Sequence, residues 1–185
     1  MLYVLTASDL QAVGPGVLND WKLQLLTDLY ERTRRHLTGG DEPHSVDDVV
    51  SQRRRTLRGL VDRNQLDDWW ENQISRLPSR LLLTTAPELI RTELERLRQV
   101  PAGQAVAWGR YEPDRKVTVY SVGTSESITP GVFHKVTGAL TGKGLQILFA
   151  EISTLADELV LDRFYVHDTD FEGQPPPERI DSVCK

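Results

Sequence analysis

Four histidines, a single cysteine and the nearby serines Ser125 and Ser127 are the side chains best suited to metal, redox or nucleophilic chemistry in this chain. None stands in the pattern such chemistry requires. His36, His44, His134 and His167 share no metal-ligand spacing, and each reads as a surface or capping residue. Cys184, being alone, excludes an internal disulfide and an all-cysteine zinc site. Ser125 and Ser127 have no histidine and carboxylate placed to activate them. Arg53-Arg54-Arg55 invites a nucleic-acid reading. However, three adjacent helical residues point in different directions, acids surround them, and the chain carries a net charge of −5. A solvated helix face is the better reading, and no nucleic-acid partner is expected. Trp69-Trp70 reads as one indole packed inward and one half exposed, not as a base-stacking platform. No apolar run approaches the roughly 18 residues of a membrane span. Met1 to Leu5 is apolar but lacks the basic flank and cleavage site of a signal peptide. A soluble, cytoplasmic protein without a membrane partner is expected.

Elements that could position a site change character near Pro101. Before it the spacing is helical. Leu2, Leu5, Leu10 and Val13 mark a first helix, broken by Gly14-Pro15-Gly16. Asn19 or Asp20 starts a second, with Trp21, Leu25 and Leu29 as its stripe, ending near Gly39-Gly40. Ser45 with Asp48 forms a capping box for a third, Val46 to about Val61. A shorter helix spans Asp67 to Arg76. Thr85 is expected to cap another, with Pro87 in its first turn and Leu89, Ile90, Leu94 and Leu97 as its stripe. After Pro101 come strands over Gln104–Tyr111 and Lys116–Gly123, then a helix over Gly131–Gly142 with Val132, Phe133, Val136 and Leu140 inward. Strands over Leu145–Thr154 and Leu159–His167 follow, and a last helix starts at Glu178.

The expected fold class is α+β. Residues 1–100 form a helical domain, and residues 101–185 a ferredoxin-like βαββα domain lacking its last strand. A sheet so truncated would leave a raw edge, to be covered by pairing. The pattern starts and stops inside helices, which predicts an internal piece of a longer polypeptide.

Leu2 to Gly16, followed by Trp21-Lys22, Leu25-Leu26 and Leu29-Tyr30, resembles a stretch of the bacterial PII uridylyltransferase/uridylyl-removing family that follows its HD motif. Leu77-Pro78 and the helix after it resemble that family's link to its first ACT domain. Pro130-Gly131-Val132-Phe133, Gly138-Ala139-Leu140, Gly144-Leu145-Gln146-Ile147-Leu148, Ala150-Glu151-Ile152, Thr154 and Leu161-Asp162-Arg163-Phe164-Tyr165-Val166 resemble the ACT domain itself. The resemblance implies the end of an HD domain plus one ACT domain. It implies a regulatory role in nitrogen sensing, with glutamine as effector, the PII signal protein as partner of the parent enzyme, and ACT–ACT pairing or a homodimer.

It also implies site residues. Asp9 matches the family's last HD metal-ligand aspartate. One carboxylate does not make a catalytic metal site, so no cofactor is expected in this chain, whereas the parent enzyme would use a divalent Mg or Mn ion. The His-Asp pair of the chain, His167-Asp168, ends a strand, whereas the HD pair belongs on a helix. No Gly-Ser pair with spaced carboxylates marks a nucleotidyltransferase site, so no catalytic residue is assigned. Thr129, Pro130, Gly131 and Val132 match the ACT loop that offers backbone N–H groups to a ligand carboxylate, a helix N-terminal anion site. Relatives often carry Asp-Arg where Ile128 and Thr129 stand. Gly144, Gln146 and Ile147 match the strand that faces a partner domain, where Gln146 could bond a ligand amide. A stand-alone ACT-like interaction or scaffold protein without catalytic activity is the alternative reading.

Overall fold

A computed structural model of the chain describes residues 1–14, 17–18, 20–38, 46–101, 104–125 and 131–185. It divides into two compact units, residues 1–44 with 113–116, and residues 45–112 with 117–185.

In the first unit, α1 (Leu2–Val13) and α2 (Asp20–Leu37) form a hairpin. The Tyr3 and Tyr30 rings lie 5.1 Å apart, and the Tyr3 and Thr27 hydroxyls are 2.9 Å apart. The helical spacing was legible, but the apolar stripe of α1 is not buried. Leu2, Leu5 and Val13 are all more than half exposed, because α1 is apolar all round and one neighbouring helix cannot cover it.

The second unit is a sheet between two helical layers. Strands β1 (Val106–Glu112), β2 (Val117–Ser125), β3 (Leu145–Thr154) and β4 (Leu159–Asp168) pair antiparallel in the order β1-β2-β4-β3. Helices α3 (Val46–Leu60), α4 (Asp68–Arg76), α5 (Ser79–Thr84) and α6 (Pro87–Arg98) cover one face. Their core of Leu57, Trp70, Ile74, Leu82, Ile90, Leu94 and Leu97 continues into Trp108 and Leu161 of the sheet. Helices α7 (Val132–Gly142) and α8 (Pro177–Val183) cover the other face, over Tyr120, Val122, Phe164 and Val166. The two-residue alternation of the strands makes this possible, since successive side chains of β2 and β4 serve opposite layers.

The break expected at Pro101 is therefore a change of secondary structure within one unit, not a boundary between units. Arg163 of β4 shows why. Its guanidinium is 1% exposed and ion-pairs with Glu93 of α6, which is equally buried. Its Nη1 donates to Thr85 Oγ1 at 2.8 Å, and Ser121 Oγ donates to Glu93 Oε1 at 3.3 Å. Thr85 thus closes α5 and serves this cluster. It does not cap α6, whose N-cap is Ala86. The helix α5, absent from the sequence reading, fits between Pro78 and Thr85. Gln73 clamps the same layer to the β3–β4 turn, accepting from Ala156 N at 3.2 Å and donating to Ala156 O at 3.3 Å.

Other readings are corrected locally. Arg54 is not merely solvated: its Nη2 donates to the Leu77 carbonyl at 3.0 Å, holding the end of α4. Trp70 is buried and Trp69 half buried, as expected for one inward indole. Ser45, His44, Asn19 and Gly39-Gly40 lie outside the described residues. The edge beside β2, where a strand following α8 would add, is taken by β1. The chain thus supplies its own fourth strand from ahead of β2, and the two outer strands are β1 and β3.

Candidate functional site

The N-terminal end of α7 is built by Gly131 and the sheet beneath it. Gly131 adopts φ 82°, a left-handed conformation that favours glycine, and among the described residues no side chain caps the helix. Its first-turn N–H groups have no intrahelical acceptors. Val132 is half buried. Thr129 and Pro130, with Ile128 and Ser127, lie outside the described residues. Phe133 of the first turn is 43% exposed, less inward than its spacing implied, yet its ring stacks on Phe164 at 5.5 Å. Two residues before Phe164, on the same face of β4, lies Asp162. Its Cα partner across β2 is Val122, so Thr124 is its diagonal neighbour.

Asp162 and Thr124 are each 3% exposed. Among the described residues, nothing hydrogen-bonds Asp162 Oδ1 or Thr124 Oγ1. Burial pushes the Asp162 carboxyl up to about 6. Through the Phe133–Phe164 stack, the start of α7 and the buried Asp162 carboxyl belong to the same face of the sheet. The sequence reading named Asp162 only as part of a matching run. The signal for it was Asp162-Arg163 standing between apolar residues in a strand covered on both faces.

The raised carboxyl has a stability consequence. Its folded value of about 6 lies above its ordinary 3.8, so the fold retains a proton that the unfolded chain releases. The contribution of Asp162 to stability is then greatest below about pH 4 and is lost as pH rises through about 6. Asp162→Asn should add on the order of 1–3 kcal/mol at pH 8 and little at pH 4. Urea unfolding of both proteins across that range reads the difference, and an equal effect at both pH values would refute the assignment.

Gly144, Gln146 and Ile147 lie at the other end of α7. Gly144, at φ 78°, closes the C-terminal end of the helix, with its N–H bonded to Thr141 O at 3.0 Å. Thr169 Oγ1 donates to the Gly144 carbonyl at 3.0 Å. Gln146 is exposed opposite His167, and Ile147 packs into the cluster beneath α7, just before a register shift in β3. The 11 residues of α7 separate this group from Gly131 by roughly 16 Å at 1.5 Å per residue. Within one chain the two groups do not share a pocket.

The remaining polar residues are dispersed. Asp9 is exposed on α1, and among the described residues no three of His, Cys, Asp and Glu are grouped to hold a metal ion. His36, His134 and His167 are exposed. Asp168, beside His167, is buried and receives Arg179 Nε at 2.9 Å, which fixes α8 to β4. Among the described residues no helix is long and apolar enough to cross a membrane.

Comparison with known proteins bears on which protein this geometry belongs to. A bifunctional uridylyltransferase/uridylyl-removing enzyme of Rhodospirillum rubrum is 32% identical over 191 aligned residues, covering all of this chain and 20% of that enzyme. The chain resembles one segment of these enzymes along its whole length. The same enzyme of Zymomonas mobilis is 30% identical over 91% of this chain and 18% of its own length. That of Xanthomonas campestris is 29% identical over the whole chain and 21% of its length. The chain thus spans about a fifth of the length of the curated relatives it matches. No family model and no solved structure matches it. The helical start followed by a four-stranded antiparallel sheet with helices is an α+β arrangement consistent with a ferredoxin-like ACT domain.

Proposed function

We propose that the chain is a regulatory segment of a bifunctional uridylyltransferase/uridylyl-removing enzyme acting on the PII signal protein in the cytoplasm, and that its α+β unit is an ACT domain sensing glutamine. The observation that carries this reading is the match to such enzymes along the entire chain. In this reading α1 and α2 are the end of an HD domain, Asp9 would supply one ligand to the parent enzyme's divalent metal, and the other ligands and the catalytic groups would come from its other parts.

The α7 end supports an amino-acid effector. Its first-turn N–H groups at Gly131 and Val132 would take the α-carboxylate. Asp162 would take the α-ammonium, and Thr124 would add a hydroxyl. The open β3 edge would pair with a second copy. That pairing would bring a partner Gln146 within reach of the effector's side-chain amide, which no single chain achieves across the length of α7.

Thermal unfolding with L-glutamine tests this. At about 100 times its Kd the ligand should stabilise the fold by about 2.7 kcal/mol. Asp162→Asn should lose that response while remaining folded. Binding should also weaken as pH falls below about 6, where Asp162 takes up its proton. No stabilisation by any amino acid would overturn the sensing role. Failure of the full-length enzyme to transfer UMP to PII would overturn the parent assignment independently.

A further inference from the structure

Asp162 and Thr124, the two residues of the proposed site with unmet buried oxygens, belong to the face of the sheet that α7 covers. Their chain neighbours are Arg163 and Gly123. Successive residues of a strand serve opposite faces, so Arg163 and Gly123 belong to the layer of α3–α6 directly behind them. Each of these two is a point at which α6 is fixed to the sheet.

At Arg163 the attachment is polar. Its Nε donates to Glu93 Oε1 of α6 at 3.2 Å, its Nη2 ion-pairs with Glu93 Oε2, and both residues are 1% exposed. Ser121 of β2 and Glu151 of β3 are the cross-strand partners of Arg163. Ser121 Oγ donates to Glu93 Oε1 at 3.3 Å, and Glu151 Oε2 lies 3.6 Å from Arg163 Nη1. At Gly123 the attachment is steric. A Cβ there would overlap Leu97 Cδ2 of α6 and lie 3.3 Å from Val106 Cγ1, so the missing side chain lets α6 lie this close to β2. Glu93 and Leu97 are neighbours on one face of α6, at i and i+4.

We infer that α6 is the output helix of this unit: engagement of Asp162 and Thr124 by an effector on one face of the sheet is read on the other by the seating of α6 on Arg163 and Gly123. The inference rests on the proposed effector site at Asp162. A forked, desolvated ion pair depends on close geometry, so a small shift of β4 is felt at Glu93. A close-packed contact such as Leu97 on Gly123 likewise transmits displacement, since packed interiors have low compressibility. The effector-bound state is the one with α6 seated. Coupling is reciprocal, so lifting α6 from the sheet weakens the effector by the factor with which the effector tightens the seat.

Hydrogen exchange of α6 and glutamine titration read the two directions. L-glutamine should slow exchange of the α6 amides in the wild-type protein. Gly123→Ala adds its methyl group on the face away from Asp162 and Thr124, yet should weaken glutamine binding about fivefold or more. Adding Leu97→Ala should restore affinity by making room for that methyl group. In the double variant Arg163→Met with Glu93→Leu, bound glutamine should no longer slow exchange in α6. Glutamine that binds the wild-type protein and leaves α6 exchange unchanged overturns the inference while the sensing role stands. Unaltered affinity in a folded Gly123→Ala does the same. Absence of glutamine binding to the wild-type protein overturns both. Should Gly123→Ala fail to fold, exchange in the wild-type protein and in the ion-pair double variant decides alone.

Discussion

Arg163→Met should destabilise the protein by about 3–5 kcal/mol, because it leaves the Glu93 carboxylate buried at 1% exposure without its counter-charge. The guanidinium also gives Thr85 and Glu151 their polar partner, with Nη1 at 2.8 and 3.6 Å. Breaking one half of a buried pair is costlier than losing both. The double variant Arg163→Met with Glu93→Leu should therefore regain most of the loss. Urea unfolding of the two single variants and the double variant gives the coupling directly. A double variant as unstable as the sum of the singles would show that the pair does not act as a unit.

Phe164→Ala should cost a similar 3–5 kcal/mol through a different cause. The ring is 0% exposed, packs with Leu140, Leu145 and Val166, and stacks on Phe133 of α7. Removing it leaves a void that the sheet cannot close, since β2 and β3 hold β4 in register on both sides. Hydrogen exchange should report which layer each change loosens. Arg163→Met should speed exchange in α5 and α6, and Phe164→Ala in α7 and α8. Equal loosening of both layers by both variants would contradict the assignment of each residue to its own layer.

These two neighbours also show what a sequence can hold. Their alternation places Arg163 and Phe164 on opposite faces, and strand periodicity makes that legible. The β2 and β4 runs and the Gly131–Gly142 helix could be read for the same reason: local spacing and backbone preference specify them within a few residues. The partner of Arg163 could not be read. Glu93 lies 70 residues earlier in what looks like an ordinary amphipathic helix. A charge in an apolar stripe resembles a solvated one until another element covers it.

The candidate site divides in the same way. The Gly131–Gly142 helix was legible, but the length that keeps Gly131 and Gly144 apart is explained only by the proposed pairing through a second β3 edge. Asp162 gained its place from cross-strand register, which makes Thr124 its diagonal neighbour, and among the described residues nothing hydrogen-bonds its Oδ1.

By itself the sequence determined the order of the elements, most of their bounds, the α+β class and the similarity to a segment of uridylyltransferase/uridylyl-removing enzymes. Each of these depends on local periodicity or on aligned residue identity. Only the tertiary structure decided that α3–α6 form the second layer of the sheet, that β1 occupies the edge beside β2, and that Asp162, Tyr120 and Thr124 are buried with polar atoms unmet among the described residues. Those outcomes turn on pairings between residues far apart in the chain, where the free energy of burial is set by what covers a side chain and not by what precedes it.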